Sequence, residues 1–328
     1  IVKAMWSAVD RLGFKGGQIL EPSVGAGNFL GLAPASVRAT GRFTGVELDR
    51  ITGRIAKNLY LDANIQAPMG YQDLSVPDGY FDLAIGNPPF GSERVHDKLN
   101  PKIAQFSIHN YFFAKSVDGL RPGGVLAMVI TSRFLDGADS RARAYIAQKA
   151  DLLGAIRLPN DAFLKNAGTS VTTDIVFLQR REEGATPKPT GWIEVDTFTD
   201  KDGRNVPLNR YFIDNPDMML GDFGAYGTMY GPDEPALIAR EGDNLPQLVR
   251  KAINALPANV MPAPAAPVVG ETPKAPMNVR DALEGSMFLD PDGKIWRRDP
   301  DSIGEPQASL VDLGDTAAAR VAQMIRIR

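Results

Sequence analysis

QILEPSVGAGNFLGLAPASVRATGRFTGVELD, residues 18–49, runs from an apolar strand through two closely spaced glycines into a helix. It emerges on a second strand that ends in a carboxylate. Gly25 and Gly27 stand where a chain leaving a strand must turn sharply and leave room for a ligand. The spacing lacks the third glycine of a dinucleotide fingerprint, and no Gly-Lys-Ser/Thr follows to grip a phosphate. Glu47 comes 20 residues after Gly27, where a carboxylate can accept hydrogen bonds from ribose hydroxyls. Together they ask for a nucleoside without demanding phosphate; the glycines alone are also compatible with an ordinary tight turn. In YQDL, Asp73 either accepts from an adenine amino group or serves as a turn aspartate.

Outward from this unit the alternation continues. After the opening helix IVKAMWSAVDRLG, strands are predicted at QILEPS, RFTGVELD, NIQ, YFDLAIG, GGVLAMVITS, GAIRLP and TTDIVFLQR, the last two as a hairpin-like pair. Helices are predicted over GNFLGLA, RITGRIAKNLYLDA, about 101–119 and about 138–150. The fold class is therefore α/β: a seven-stranded, doubly wound, Rossmann-like sheet within residues 1–181, with a small C-terminal extension. Residues 182–256 read as that extension or a small subdomain, and 257–279 as a Pro/Ala-rich linker. Residues 280–328 read as a hairpin, MFLDPDGKIW with its turn at Asp-Pro-Asp-Gly, and the start of a helix.

YFDLAIG carries the chain to the carboxyl edge of the sheet, where open α/β sheets bind ligands, and there it meets Asn87-Pro88-Pro89-Phe90. The prolines fix φ and supply no N–H, so the segment presents carbonyls and side chains but cannot pair as a strand. The Asn87 side-chain oxygen and the Pro88 carbonyl can accept both hydrogens of a substrate –NH2, and Phe90 can stack on the ring that bears it. Such acceptors suit transfer of an electrophile to a conjugated amine, whose lone pair becomes more available once its N–H bonds are held out of plane. A proline turn with a capping asparagine is the structural alternative.

Composition narrows the chemistry. The 328 residues contain no cysteine, which excludes disulfides, thiolate metal sites, iron–sulfur clusters and a cysteine nucleophile. With two histidines, His96 and His109, no metal site is expected. No apolar run reaches membrane-spanning length, and a soluble cytoplasmic protein without a membrane partner is expected. The net charge of −3 divides into +5 over residues 1–181 and −8 over 182–328, so the first half can face a polyanion. Ile1 in place of a Met reads as the start of a fragment or processed chain.

With the glycine turn preceding NPPF by about 60 residues, the chain resembles the S-adenosylmethionine-dependent N6-adenine DNA methyltransferases in their γ-type motif order. YFFAKSVDGLRPGGVLAMVITSRFLD and AGTSVTTDIVFLQR are similar to segments of large bacterial members. NRYFIDNPDMMLG and the final RVAQMIRIR look like the methylase module of very large phage- or plasmid-associated proteins that carry a Swi/Snf-like helicase. The resemblance implies S-adenosylmethionine as cofactor, DNA as partner and a helicase region in the full-length chain. Its context would be a restriction-modification, defence or anti-restriction system.

Residue by residue, it implies that Glu21, Pro22, Gly25 and Gly27 shape the methionine side of the cofactor pocket. Glu47 would hold the ribose, with Leu48 beside the adenine and Asp73 and Leu74 at its amino group. Asn87, Pro88 and Phe90 would hold a flipped adenine. The aromatic-Thr-Pro/Ser contact that the family places upstream of the first helix has no counterpart after Ile1. Arg94, Lys98, Lys102, Arg133, Arg141 and Arg143 follow the carboxyl ends of strands four and five. They are candidates for phosphate contacts or for a solvated charged face. Thr169 and Ser170 precede the last strand, where family members approach DNA. His109 reads either as a neighbour of the target pocket or as a structural histidine. Alternatives are transfer to another planar amine or amide, such as an RNA guanine or a protein glutamine, and a catalytically silent DNA- or partner-binding module.

Overall fold

The computed structural model describes residues 1–74, 79–164, 170–188, 191–227, 234–262, 282, 285–290, 292–302, 305–311, 318 and 321–325. Helix α1 (Val2–Arg11) precedes a sheet of seven strands: β1 (Gly17–Glu21), β2 (Gly41–Val46), β3 (Asn64–Gln66), β4 (Phe81–Gly86), β5 (Leu120–Thr131), β6 (Ala150–Leu158) and β7 (Thr173–Arg180). Their order is β3-β2-β1-β4-β5-β7-β6. β1, β2, β3, β4 and β5 run parallel, while β7 is inserted antiparallel between β5 and β6. The seven strands and doubly wound arrangement expected from the sequence are thus present, and GAIRLP and TTDIVFLQR do pair antiparallel.

The sequence makes this sheet a core because its central strands are apolar on both faces. Every residue of β4 is buried, as a strand covered by helices on both sides requires. The covering helices are α2 (Asn28–Gly31), α3 (Ala35–Thr40), α4 (Arg50–Leu59), α5 (Ile108–Gly119), α6 (Arg133–Asp136) and α7 (Arg141–Ala147). Trp6, Phe81, Tyr111, Phe113, Phe134 and Phe177 fill the space between them. After β1 the chain builds outward through β2 and β3, then returns to place β4 on the other side of β1. The carboxyl ends of β1 and β4 therefore flank the topological switch point, with Glu21 and Pro22 against Gly86.

Two helices differ from the pattern read in the sequence. The helix expected to begin at GNFLGLA stops after α2, and a separate α3 starts beyond Pro34, which has no N–H to continue the first one. The helix expected from about 101 starts only at Ile108. Arg94 bridges Ser107, and the Ile108 N–H donates to the Glu93 carbonyl, so residues just before α5 are drawn into an extended pairing.

Residues 191–262 belong to the same compact unit as the sheet, which extends from Ile1 to Pro264. They form β8 (Val195–Thr199), β9 (Asn205–Asn209), α8 (Arg210–Asp214), β10 (Asp222–Gly224), β11 (Ala236–Ile238) and α9 (Leu245–Ala255). Buried Asn209 fastens them to α6: its N–H donates to Asp136 Oδ1 and its side-chain amide to the Leu135 carbonyl, while the same amide also donates to the Trp192 carbonyl within the segment. Arg157 lies wholly buried between Asp174 and Asp136 and under the rings of Phe212 and Phe223, 4.2 and 5.2 Å away. A buried guanidinium needs such pairing, since a charge taken out of water without a counter-charge costs several kcal/mol. Residues 259 and 261 donate backbone hydrogen bonds to the carbonyls of Arg11 and Leu12.

The second unit covers 265–328. The hairpin expected at MFLDPDGKIW is formed by β12 (Met287–Leu289) and β13 (Ile295–Ser302), with Phe288 opposite Trp296, and β14 (Glu305–Leu310) adds a third strand. No helix among the described residues is long and apolar enough to cross a membrane.

Candidate active site

Glu21 ends β1 and is buried, 2% exposed. Its Oε2 has no hydrogen-bond partner among the described residues. Burial, and secondarily the Glu47 carboxylate, hold its carboxyl well above the usual range. Pro22 is buried beside it, and both lie against Gly86.

The two glycines of the first turn serve different ends. Gly25 has φ +55°, and nothing lies within 4 Å of the point where a β-carbon would stand. Gly27 has φ +86° and faces the ring of Tyr60, which leaves no space for a β-carbon. Glu47, at the end of β2, closes over this turn: Oε2 accepts from the Gly25 N–H and Oε1 from the Asp49 N–H, both at 2.8 Å. Leu48 is 72% exposed on the same rim. Asp73 is exposed in a short 3-10 turn, its Oδ2 accepting from the Gln72 side chain at 3.0 Å, and Leu74 beside it is half-buried.

Across the switch point, β4 delivers Asn87 to an exposed position, Pro88 to a buried one and Phe90 to the surface at 42% exposure. Phe90 forms one wall of a cavity of about 430 Å³. The other walls are Gly91 to Glu93, Ser107 and His109 at the start of α5, Thr131 to Arg133 after β5, Asn160 after β6, Ser170 to Thr172 before β7, and Gly227 with Glu234 to Ala236 beside β10 and β11. This is the size of a small-molecule site and ample for one heterocyclic base.

His109 belongs to this wall and is also satisfied structurally. Its Nδ1 lies 2.8 Å from the Gly91 carbonyl and its Nε2 3.1 Å from Ser107 Oγ. A carbonyl can only accept, so Nδ1 carries the proton and the serine hydroxyl donates to Nε2. Burial lowers the pKa of the ring and nearby Arg133 lowers it further, which keeps the imidazole neutral; the Gly91 hydrogen bond opposes them.

The loop that follows is pinned from beneath. Buried Asp97 accepts from Tyr111 Oη at 2.6 Å, from Lys115 and from Asn100, while its Oδ1 takes the N–H groups of Leu99 and Asn100. Although desolvation opposes ionisation, these hydrogen bonds and the Lys115 charge hold Asp97 well below the usual carboxylate range. Arg94, Lys98 and Lys102 are displayed on the outside of that loop.

The candidate phosphate contacts do not form one set. Arg133 is exposed at the cavity and pairs with Glu234 at 2.6 Å. Arg141 is exposed but grips Asp139 through two parallel contacts of 2.9 and 2.7 Å. Arg143 corrects the sequence reading. It is 2% exposed, and its guanidinium donates to the carbonyls of Ile193, Phe134 and Gly137, so it ties α6 and α7 to the extension and has no N–H facing outward. Ser170 lines the cavity, whereas Thr169 lies outside the described residues.

Thr131, Ser132, Asn160, Thr172 and Glu234 were not read as site residues from sequence. For the first four, a polar residue at the end of an apolar strand was the available signal; for Glu234 there was none.

The glycine turn, the switch point and an Asn-Pro-Pro-Phe segment whose Phe90 lines a cavity thus converge on one edge of the sheet. Residues 44–163 match the Eco57I restriction-modification methylase family. That match bears out, at the level of the family, the methyltransferase resemblance read from the sequence. The chain is 30% identical over 183 residues to the Defense against restriction protein B of Escherichia phage P1. The match covers 55% of this chain and 8% of that protein. It is 31% identical over 153 residues to Type II methyltransferase M.TthHB8I of Thermus thermophilus, covering 41% of this chain and 34% of the relative. The chain therefore spans only a fraction of the length of either relative. Among solved structures, it is similar to the EcoKI M protein of a type I restriction enzyme at 15% identity, covering 77% of this chain and 69% of that one, with a TM-score of 0.45. It is also similar to a type I restriction-modification methyltransferase subunit from Streptococcus thermophilus at 19% identity, covering 66% and 50%, with a TM-score of 0.45.

Proposed function

We propose that the chain transfers a methyl group from S-adenosylmethionine to the N6 amine of an adenine turned out of DNA. The observation that carries this reading is the Asn87–Phe90 rim, with its exposed amide at the end of β4 and its Phe90 ring lining a base-sized cavity, across the switch point from the Gly25–Glu47 turn.

The residues at the β1 edge fit the cofactor. Glu21 offers a buried carboxylate oxygen without a partner, suited to a cationic group, and the space beyond Gly25 is open. Each Glu47 oxygen already accepts one N–H and retains a lone pair for a ribose hydroxyl. Leu48 supplies apolar surface to a purine, and Asp73 an acceptor to its amine. When bound, the cofactor supplies a sulfonium methyl as electrophile.

On the substrate side, Phe90 stacks the extruded base, which returns roughly 1–3 kcal/mol of the few spent on unstacking and unpairing. The Asn87 side-chain oxygen and the Pro88 carbonyl each accept one hydrogen of the amine. The nitrogen lone pair is thereby directed out of the ring plane; as the N–CH3 bond forms, the S–CH3 bond would break to leave a neutral thioether, and the extra proton on the nitrogen passes to solvent at the exposed rim. Rate enhancement comes from positioning and from acceptors fixed in advance by two prolines. DNA is the proposed partner, engaged by Arg94, Lys98, Lys102, Arg133 and Ser170. A helicase region is proposed in a longer parent chain, on the sequence resemblance of NRYFIDNPDMMLG.

Calorimetry with S-adenosylmethionine, followed by mass spectrometry of nucleosides from treated DNA, tests this reading. Binding followed by N6-methyladenine supports it, and binding without methyladenine from the full-length parent would overturn it. Asn87→Ala should lower transfer by about 100-fold or more while cofactor affinity stays within a few-fold.

A further inference from the structure

We infer that His109 is a positioning residue that holds the Phe90 ring against the target base, a role that rests on the reading of Asn87–Phe90 as the target site. Pro88 and Pro89 have no N–H with which to anchor their segment. Among the described residues, the first hydrogen bond past them is the one from His109 Nδ1–H to the Gly91 carbonyl, one residue beyond Phe90. The imidazole stands on the first turn of α5, whose Tyr111, Phe113 and Val117 are buried in the core. It is therefore a strut from a rigid helix to a rim with few other restraints. Ser107 Oγ–H fixes the ring from the other side by donating to Nε2.

Two backbone ties, Ile108 N–H to the Glu93 carbonyl and the Arg94–Ser107 bridge, hold the loop further along. They would keep the loop in place without His109, so the imidazole's own contribution falls on the residues nearest it, Phe90 and Gly91. His109 and Phe90 line the same cavity, which makes the strut and the stacking ring parts of one wall. The imidazole touches no reacting atom in this scheme: it sets where the ring stands.

The geometry assigns the work to one nitrogen. An asparagine side chain places an N–H donor near Nδ1, whereas a glutamine places one near Nε2. The test uses the wild-type protein, His109→Ala, His109→Asn, His109→Gln and Phe90→Ala on duplex DNA carrying a sequence the wild type methylates. A second duplex carries 2-aminopurine at the modified adenine. His109→Ala and His109→Gln should lose about 10-fold or more in kcat with cofactor affinity unchanged. Their 2-aminopurine fluorescence in the complex should rise toward that of Phe90→Ala, because an unstacked base is less quenched. His109→Asn should restore kcat to within about 3-fold and return the quenched signal.

Wild-type signal and kcat in His109→Ala, alongside an altered Phe90→Ala, would overturn the proposal. So would a folded His109→Asn as defective as His109→Gln. If His109→Ala does not fold, the Asn and Gln pair still decides. A failure of the adenine reading shows separately, as absence of methyladenine from the wild type.

Discussion

The ring of Tyr60 stands directly against Gly27 and leaves no room for a β-carbon, whereas Gly25, two residues earlier, opens onto empty space. One glycine is thus committed to packing, while the other leaves the turn open, as the proposed cofactor site requires. Gly27→Ala should cost roughly 3 kcal/mol, combining left-handed backbone strain with overpacking. Gly25→Ala should cost about 1 kcal/mol, from backbone strain alone, yet weaken S-adenosylmethionine binding at least 10-fold. Denaturant unfolding paired with calorimetry checks this. Equal stability losses in the two variants would contradict the division.

Glu21 makes stability and cofactor binding depend on pH. Its carboxyl titrates higher in the folded protein than in the unfolded chain, so the stability contributed by the protonated form is complete below the unfolded value. It is lost as pH rises through the folded one. Glu21→Gln should therefore raise the stability of the ligand-free protein at neutral pH by roughly 1 kcal/mol, the scale of relieving an unpartnered buried group, and the gain should shrink on acidification. The same substitution should weaken cofactor binding. Because a cation beside Glu21 favours its ionised form, cofactor binding near that pKa should release protons, measurable by calorimetry in buffers of different ionisation heat.

Arg143 and Lys98 should separate folding from DNA binding. Arg143→Gln leaves buried carbonyls of Ile193, Phe134 and Gly137 without their donor and should cost roughly 3 kcal/mol. Lys98→Gln, on the exposed outside of the pinned loop, should change stability by less than about 0.5 kcal/mol and lower the salt dependence of DNA binding by about one unit of slope. Melting curves and salt titrations read the two effects independently.

Glu234 pairs with Arg133 on the cavity wall, where a phosphate would compete with it. Glu234→Gln should leave stability nearly unchanged, as expected for an exposed pair, while tightening DNA binding a few-fold at low salt. A fall in DNA affinity would instead mean that the carboxylate itself contacts the substrate.

Local sequence carried what local physics controls. Apolar strands of period or run, the glycine turn, Glu47 at its strand end and the proline-stiffened Asn87–Phe90 rim are each set by residues within a few positions of one another. That is why seven strands and the methyltransferase resemblance were legible before any contact was known. The interrupted helix before Ile108 was not, because the pairing of Arg94 with Ser107 that interrupts it joins residues a loop apart.

Only tertiary packing decided the rest. Arg143 reads as a surface cation in RARAY, and becomes a buried tie because the carbonyls of Phe134 and Gly137 just upstream and of Ile193, 50 residues further on, close around it. Glu234 and Asn160 meet Phe90 in one cavity although the chain separates them by 70 residues or more. Two glycines that look equivalent part company once Tyr60 arrives against one of them. The sequence by itself determined which strands build the sheet and which chemical groups reach its edge, since propensity, backbone restriction and polarity act over a few residues. The fold decided which of those groups face a common space and which are spent on holding it open, since burial and hydrogen-bond partnership depend on chain segments that sequence spacing does not bring together.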